Sequence, residues 1–101
     1  MVIRIVKLNF QEDKIDQFLS YFDEIKQHVN SFENCHGMQL LQDTAQRNIV
    51  FTYSLWENEA ALEKYRTSEL FGSVWPTIKP WFALKTEAWT LNSYFNGFEN
   101  K

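Results

Sequence analysis

The 101-residue chain has one cysteine, three glycines, two prolines and two histidines, and each shortage removes a class of explanation. Cys35 alone cannot form an intrachain disulfide, and with His28 and His36 it offers no zinc-ligand spacing. A reducing, cytoplasmic setting is the default. Gly37, Gly72 and Gly97 are too dispersed for a phosphate loop or a dinucleotide fingerprint, and no nucleophile-elbow serine or metal triad is present. Ten basic residues against 13 acidic ones give a net charge of −3, without the basic stripe that would attract nucleic acid. No window approaches ~18 uninterrupted apolar residues. The opening MVIRIVKLNF carries Arg4 and Lys7 inside its apolar run and has no small-residue cleavage site. These features point to a soluble, unprocessed chain with neither a membrane nor a nucleic acid as partner.

What the chain has in excess is aromatic surface. Nine Phe, four Tyr and four Trp, each burying ~150–250 Å² when enclosed, exceed what the core of one small domain hides. Part of that surface is expected to face a partner or a ligand. Three tryptophans, Trp56, Trp75 and Trp81, fall between Asn48 and Trp81. That stretch can build either the thick end of a core or the wall of a pocket for a flat molecule.

Taken in order, residues 2–10 read as a strand, with Val2, Val6, Leu8 and Phe10 on one side beside Arg4, and Ile3 and Ile5 on the other beside Lys7. Asn9 followed by Glu12 predicts a helix start. The helix is expected to run to about Ser31, with Ile15, Phe18, Leu19, Phe22, Ile25, Val29 and Phe32 as its apolar stripe. Asn34 to Gly37 read as a loop, Met38–Thr44 and Asn48–Trp56 as strands joined by a short hairpin loop at Ala45, Gln46 and Arg47. Asn58 caps a helix over Glu59–Thr67, and Ser68 a further turn that Pro76 should end. Trp81–Leu91 alternates as a last strand, and residues 93–101 form a tail carrying Tyr94, Phe95 and Phe98. The order β, α, β, β, α, β over residues 1–92 is the ferredoxin-like α+β pattern, a four-stranded antiparallel sheet with helices on one face. Ile3, Ile5 and the hairpin leave the other face apolar. A homodimer packed through that face, burying above roughly 2,000 Å², is expected.

The run Cys35-His36-Gly37-Met38-Gln39-Leu40-Leu41-Gln42-Asp43, the strand ending in Trp56, and then Asn58, Ala61, Leu62, Tyr65, Ser68 and Phe71 together resemble the antibiotic biosynthesis monooxygenase family over about residues 2–90. The resemblance implies a dimeric α/β barrel with a pocket in each subunit between sheet and helices. It also implies oxidation of phenols, quinols or anthrones by O2 with no cofactor. Ser54 stands where the family's strand usually has Glu, and Tyr65 where its helix usually has His. Val6, Tyr65 and Trp75 occupy the positions that a haem-degrading branch fills with other residues, so haem degradation by that route is not implied.

Cofactor-free oxygenation needs a dry, aromatic-lined site with a few polar groups that accept a proton and stabilise a phenolate and a peroxide. Trp56, where strand meets helix, is a candidate ring contact or hydrogen-bond donor, or else a core residue. Tyr65 on the inner face of the second helix is a candidate acid or donor, or else packing. Arg4 could stabilise a phenolate if its strand face looks toward the helices, or reach out to water. Thr52 and Ser54 could supply weak hydrogen bonds, and Phe22, Phe71, Trp75 and Trp81 are read as pocket or core lining. His36 and Cys35 are expected in a loop and His28 on a helix flank, all structural or exposed. The expectation is a monooxygenase acting on a phenolic or quinol-like aromatic molecule; the alternative is a non-catalytic dimeric ligand-binding or stress-related module of the same fold, with haem binding as a weaker rival.

Overall fold

A computed structural model describes residues 1–100, so the last residue of the 93–101 tail lies outside it. The strands are β1 (Val2–Asn9), β2 (Cys35–Gln42), β3 (Ile49–Trp56) and β4 (Glu87–Leu91), and the helices α1 (Ile15–Asn30), α2 (Glu59–Arg66) and α3 (Glu69–Ile78). The sheet has the order β2-β3-β1-β4 with every neighbouring pair antiparallel. This is the ferredoxin-like α+β arrangement, with α3 as a third helix.

The register decides which residues share a face. Arg4 pairs with Ser54 and with Thr90, Val6 with Thr52 and Ala88, and Leu8 with Val50, so the even positions of β1 align with the even positions of both neighbours. That face carries the core. Leu8, Phe10 and Val50 pack against Ile15 and Phe18 of α1 and Val74 and Ile78 of α3; Val2 and Trp56 pack against Ala61 and Leu62 of α2. Phe10 and Val50 are fully enclosed, and burying a side chain of this kind contributes about 1.5–3 kcal/mol. The odd positions lie on the opposite face, where Ile3, Ile5, Phe51, Tyr53 and Leu55 stay half-buried and Leu41, Trp89 and Leu91 are exposed.

Several boundaries differ from those expected. The first helix begins at Ile15, with Lys14 at its N-cap and no side-chain cap. Asn9 is still in β1, where its side-chain oxygen faces Asn48. The loop expected at Cys35–Gly37 is the bulged start of β2. Gly37 sits there at φ +126, which a side chain rarely tolerates, and Asn30 Oδ1 accepts a hydrogen bond from the Met38 amide at 3.0 Å. The hairpin loop spans 43–48 rather than three residues, because Asp43 Oδ2 accepts from the amides of Ala45 and Gln46 and turns the chain early.

Pro76 does not end its helix. It removes the N–H that would bond the Gly72 carbonyl, yet α3 continues to Ile78, because Val74 and Ile78, one turn apart, are both buried and Thr77 Oγ1 donates to the Ser73 carbonyl at 2.7 Å. Trp81 then falls on a 3-10 turn, Lys79–Trp81. Phe82 makes one isolated bridge with Phe10, and regular pairing resumes only at Glu87. The last strand is therefore much shorter than Trp81–Leu91.

Candidate functional site

Between the core face of the sheet and the helices lies a cavity of about 350 Å³. Its floor is β1 and β3: Arg4, Val6 and Leu8 beside Thr52, Ser54 and Trp56. Its walls come from the helices, with Phe18 and Phe22 on α1, Tyr65 and Arg66 on α2, and Phe71 and Trp75 on α3. The deep end is apolar, where Phe18 and Ile78 are almost fully buried, whereas Arg66 and Ala88 are exposed and mark the mouth.

Local chemistry sets each wall. The Asn58 side chain accepts from the Ala61 amide at 2.8 Å and starts α2 directly after β3. Trp56 and Tyr65 thereby meet face to face, their ring centroids 4.9 Å apart at 28°. The Ser68 hydroxyl accepts from the Phe71 amide at 3.2 Å and starts α3, which brings Phe71 edge-on to Tyr65 at 5.4 Å and stacks it on Trp75 at 5.7 Å.

The polar groups divide into satisfied and free ones. Trp56 Nε1 donates to Ser54 Oγ at 2.9 Å, and both residues are buried. The indole N–H is thus already bonded, and Trp56 offers the cavity its ring alone. Ser54 Oγ leans at 3.5 Å on the Arg4 carbonyl. The Tyr65 and Thr52 hydroxyls make no hydrogen bond to the described residues. Burial pushes the Tyr65 phenol up to about 12, with Cys35 and Tyr21 adding in the same direction, so Tyr65 is a neutral donor at neutral pH. Arg4 Nη1 donates to Thr90 Oγ1 at 2.8 Å. Burial lowers the Arg4 pKa, Arg66 lowers it further, and Glu63 acts the other way.

The structure brings Arg4, Phe22, Thr52, Ser54, Trp56, Tyr65, Phe71 and Trp75 to one cavity. Trp81 is not on that wall. It packs edge-on against Tyr21 at 6.0 Å, because its 3-10 turn carries it away. His36 pairs with Glu57 at the surface, Cys35 is half-buried against the Trp56 cluster, and His28 is exposed. Sequence reasoning missed Arg66 and Met38. Arg66 follows Leu62 at i,i+4, the spacing that carries it onto the inner face. Met38 pairs with Ser54 across the sheet, a register that the bulge at Gly37 concealed. Among the described residues no three His, Cys, Asp or Glu side chains form a metal-binding set, and no helix is long and apolar enough to cross a membrane.

Residues 1–74 match the family model described as antibiotic biosynthesis monooxygenase. Among solved structures, one described as an antibiotic biosynthesis monooxygenase is 18% identical with a TM-score of 0.86, covering 92% of this chain and 98% of the other. Rv0793 from Mycobacterium tuberculosis is 12% identical with a TM-score of 0.85, covering 94% and 96%. A conserved protein from Methanosarcina mazei Go1 is 19% identical with a TM-score of 0.84, covering 92% and 93%. At these identities the likeness is one of fold. No functionally curated protein matches the chain.

Proposed function

Since the chain belongs to the antibiotic biosynthesis monooxygenase family, we propose that it is a cofactor-independent monooxygenase that oxidises a phenolic or quinol-like aromatic molecule with O2 in its sheet–helix cavity. The observation that carries this is a cavity of about 350 Å³ walled by Phe22, Trp56, Phe71 and Trp75, into which Tyr65 brings a hydroxyl without a hydrogen bond to the described residues. The volume suits a molecule of two or three fused rings.

In this reaction the phenol loses its proton to water at the mouth, helped by the positive charge of Arg4. The phenolate passes one electron to O2, and the resulting aryloxyl radical and superoxide join at a ring carbon that bears hydrogen. Tyr65 donates a hydrogen bond to the peroxide as it forms. The peroxide takes up a proton, and loss of water leaves a carbonyl. One oxygen atom ends in the product and the other in water, and the substrate supplies both electrons. Thr52 supplies a further hydroxyl at the cavity floor, and Ser54 orients the Trp56 ring rather than touching substrate.

The active form is read as a homodimer. Ile3, Ile5, Phe51, Tyr53 and Leu55 form an apolar sheet face that a second copy would cover, with the exposed rings of Tyr94, Phe95 and Phe98 in the tail 93–101 packing on the partner. A cytoplasmic location suits the Cys35 thiol. One feature favours binding without turnover: no His, Asp, Glu or Lys side chain lines the cavity to take the phenol's proton.

Dioxygen uptake with a panel of hydroquinones and anthrones separates the two. The monooxygenase should consume O2 faster than buffer, with Tyr65→Phe about 100-fold slower and still folded, since its ring contacts remain. Uptake no faster than buffer across the panel leaves only the binding module.

A further inference from the structure

We infer that the cavity selects flat aromatic molecules bearing a permanent carboxylate, which Arg4 and Arg66 hold between them at the mouth. This deepens the proposed function and rests on the cavity being the ligand site. The charged residues on the wall are these two arginines, in a chain whose net charge is −3; Glu63, the carboxylate that pairs with Arg66 and acts on Arg4, does not line the wall. They approach from opposite sides, Arg4 from β1 in the floor and Arg66 from the last residue of α2 in the wall.

Among the described residues, neither arginine is paired with a carboxylate from another element. Lys7, Lys26, Arg47 and Lys64 each meet a carboxylate at the surface. Arg4, half-buried, meets none among the described residues, and its one side-chain hydrogen bond goes to the uncharged Thr90 hydroxyl. Arg66 has only Glu63, one turn back on the same helix at 3.3 Å, in a pair exposed on both sides. Such a pair is weak and readily exchanged.

Two guanidinium groups at one end of an apolar cavity repel each other, and half-buried Arg4 also loses hydration, a cost that an anion between them offsets. A carboxylate has two oxygens and can give one to each arginine in the forked geometry that guanidinium favours. The transient phenolate of the reaction has a single oxygen and cannot bridge both as well. With the carboxylate at the mouth, the rings lie inward between Phe22 and Trp75, and the end to be oxidised reaches Tyr65.

The experiment is isothermal calorimetry on the full chain with anthracene-9-carboxylate and its neutral analogue anthracene-9-carboxamide, at low and high salt. The wild-type protein should bind the carboxylate about tenfold or more tightly than the amide, with salt narrowing the gap. Arg4→Gln and Arg66→Gln should each bring the ratio close to one. The ratio is read within each variant, with folding checked by circular dichroism, so a general loss of binding cannot imitate the result. Equal affinities in the wild type overturn the carboxylate preference and leave the cavity as ligand site. A preference that survives both substitutions overturns it too. If neither compound binds, both the preference and the ligand site fall. A clear preference in a protein that shows no dioxygen uptake supports this inference and removes the monooxygenase.

Discussion

Trp56 and Ser54 show how much can depend on one hydroxyl. The indole N–H is enclosed with Ser54 Oγ as its acceptor, so Ser54→Ala should leave a buried donor without a partner and cost about 1–3 kcal/mol. A lower urea midpoint with an unchanged slope would bear this out; an unchanged midpoint would mean that water replaces the hydroxyl. That Ser54 and Trp56 share a face was legible from the two-residue period of the strand. The hydrogen bond was not, because it depends on a rotamer that only the packing of Tyr65 on the indole determines. Arg66 was hidden for a different reason: a charged residue at a helix end reads as solvated, and only the cavity beside Leu62 shows where its side chain lies.

At the scale of elements, the two caps were legible because each is a local device. Asn58 and Ser68 hold the first free amides of α2 and α3, and together they place Tyr65 and Phe71 against each other. Asn58→Ala should cost about 1 kcal/mol of stability, and because α2 carries both Tyr65 and Arg66, ligand affinity should fall along with it. Calorimetry and thermal unfolding on the same variant check both; a stability loss with ligand binding fully retained would show that the cap does not position the wall. Two of the misread boundaries yield to tertiary contacts. Pro76 stays helical because Ile78 is buried one turn beyond Val74, and the expected strand from Trp81 waits until Glu87 because Phe82 turns in against Phe10 at 5.1 Å. Local propensity does not contain those contacts.

For the whole molecule, the sheet with every helix on one face was legible from the order of elements and from the apolar residues on both sides of β1. The cavity was legible only as a choice between core and pocket, since aromatic spacing is the same for both. The uncovered face makes its own prediction. Wild-type protein should sediment at twice the chain mass, and Ile5→Lys, which puts a charge among Tyr53 and Trp89, should sediment as a monomer with its circular dichroism unchanged. A wild-type monomer at micromolar concentration would end the dimer proposal. Inside each subunit, ring contacts run without a break from Phe32 through Trp56, Tyr65, Phe71 and Trp75 to Phe82, Phe10 and Phe18. Two indoles in that chain, Trp56 and Trp75, are coupled to neighbouring rings and also line the cavity. Their emission and near-ultraviolet dichroism will therefore change whenever a molecule enters, which gives the cavity a label-free optical signal of its own occupancy.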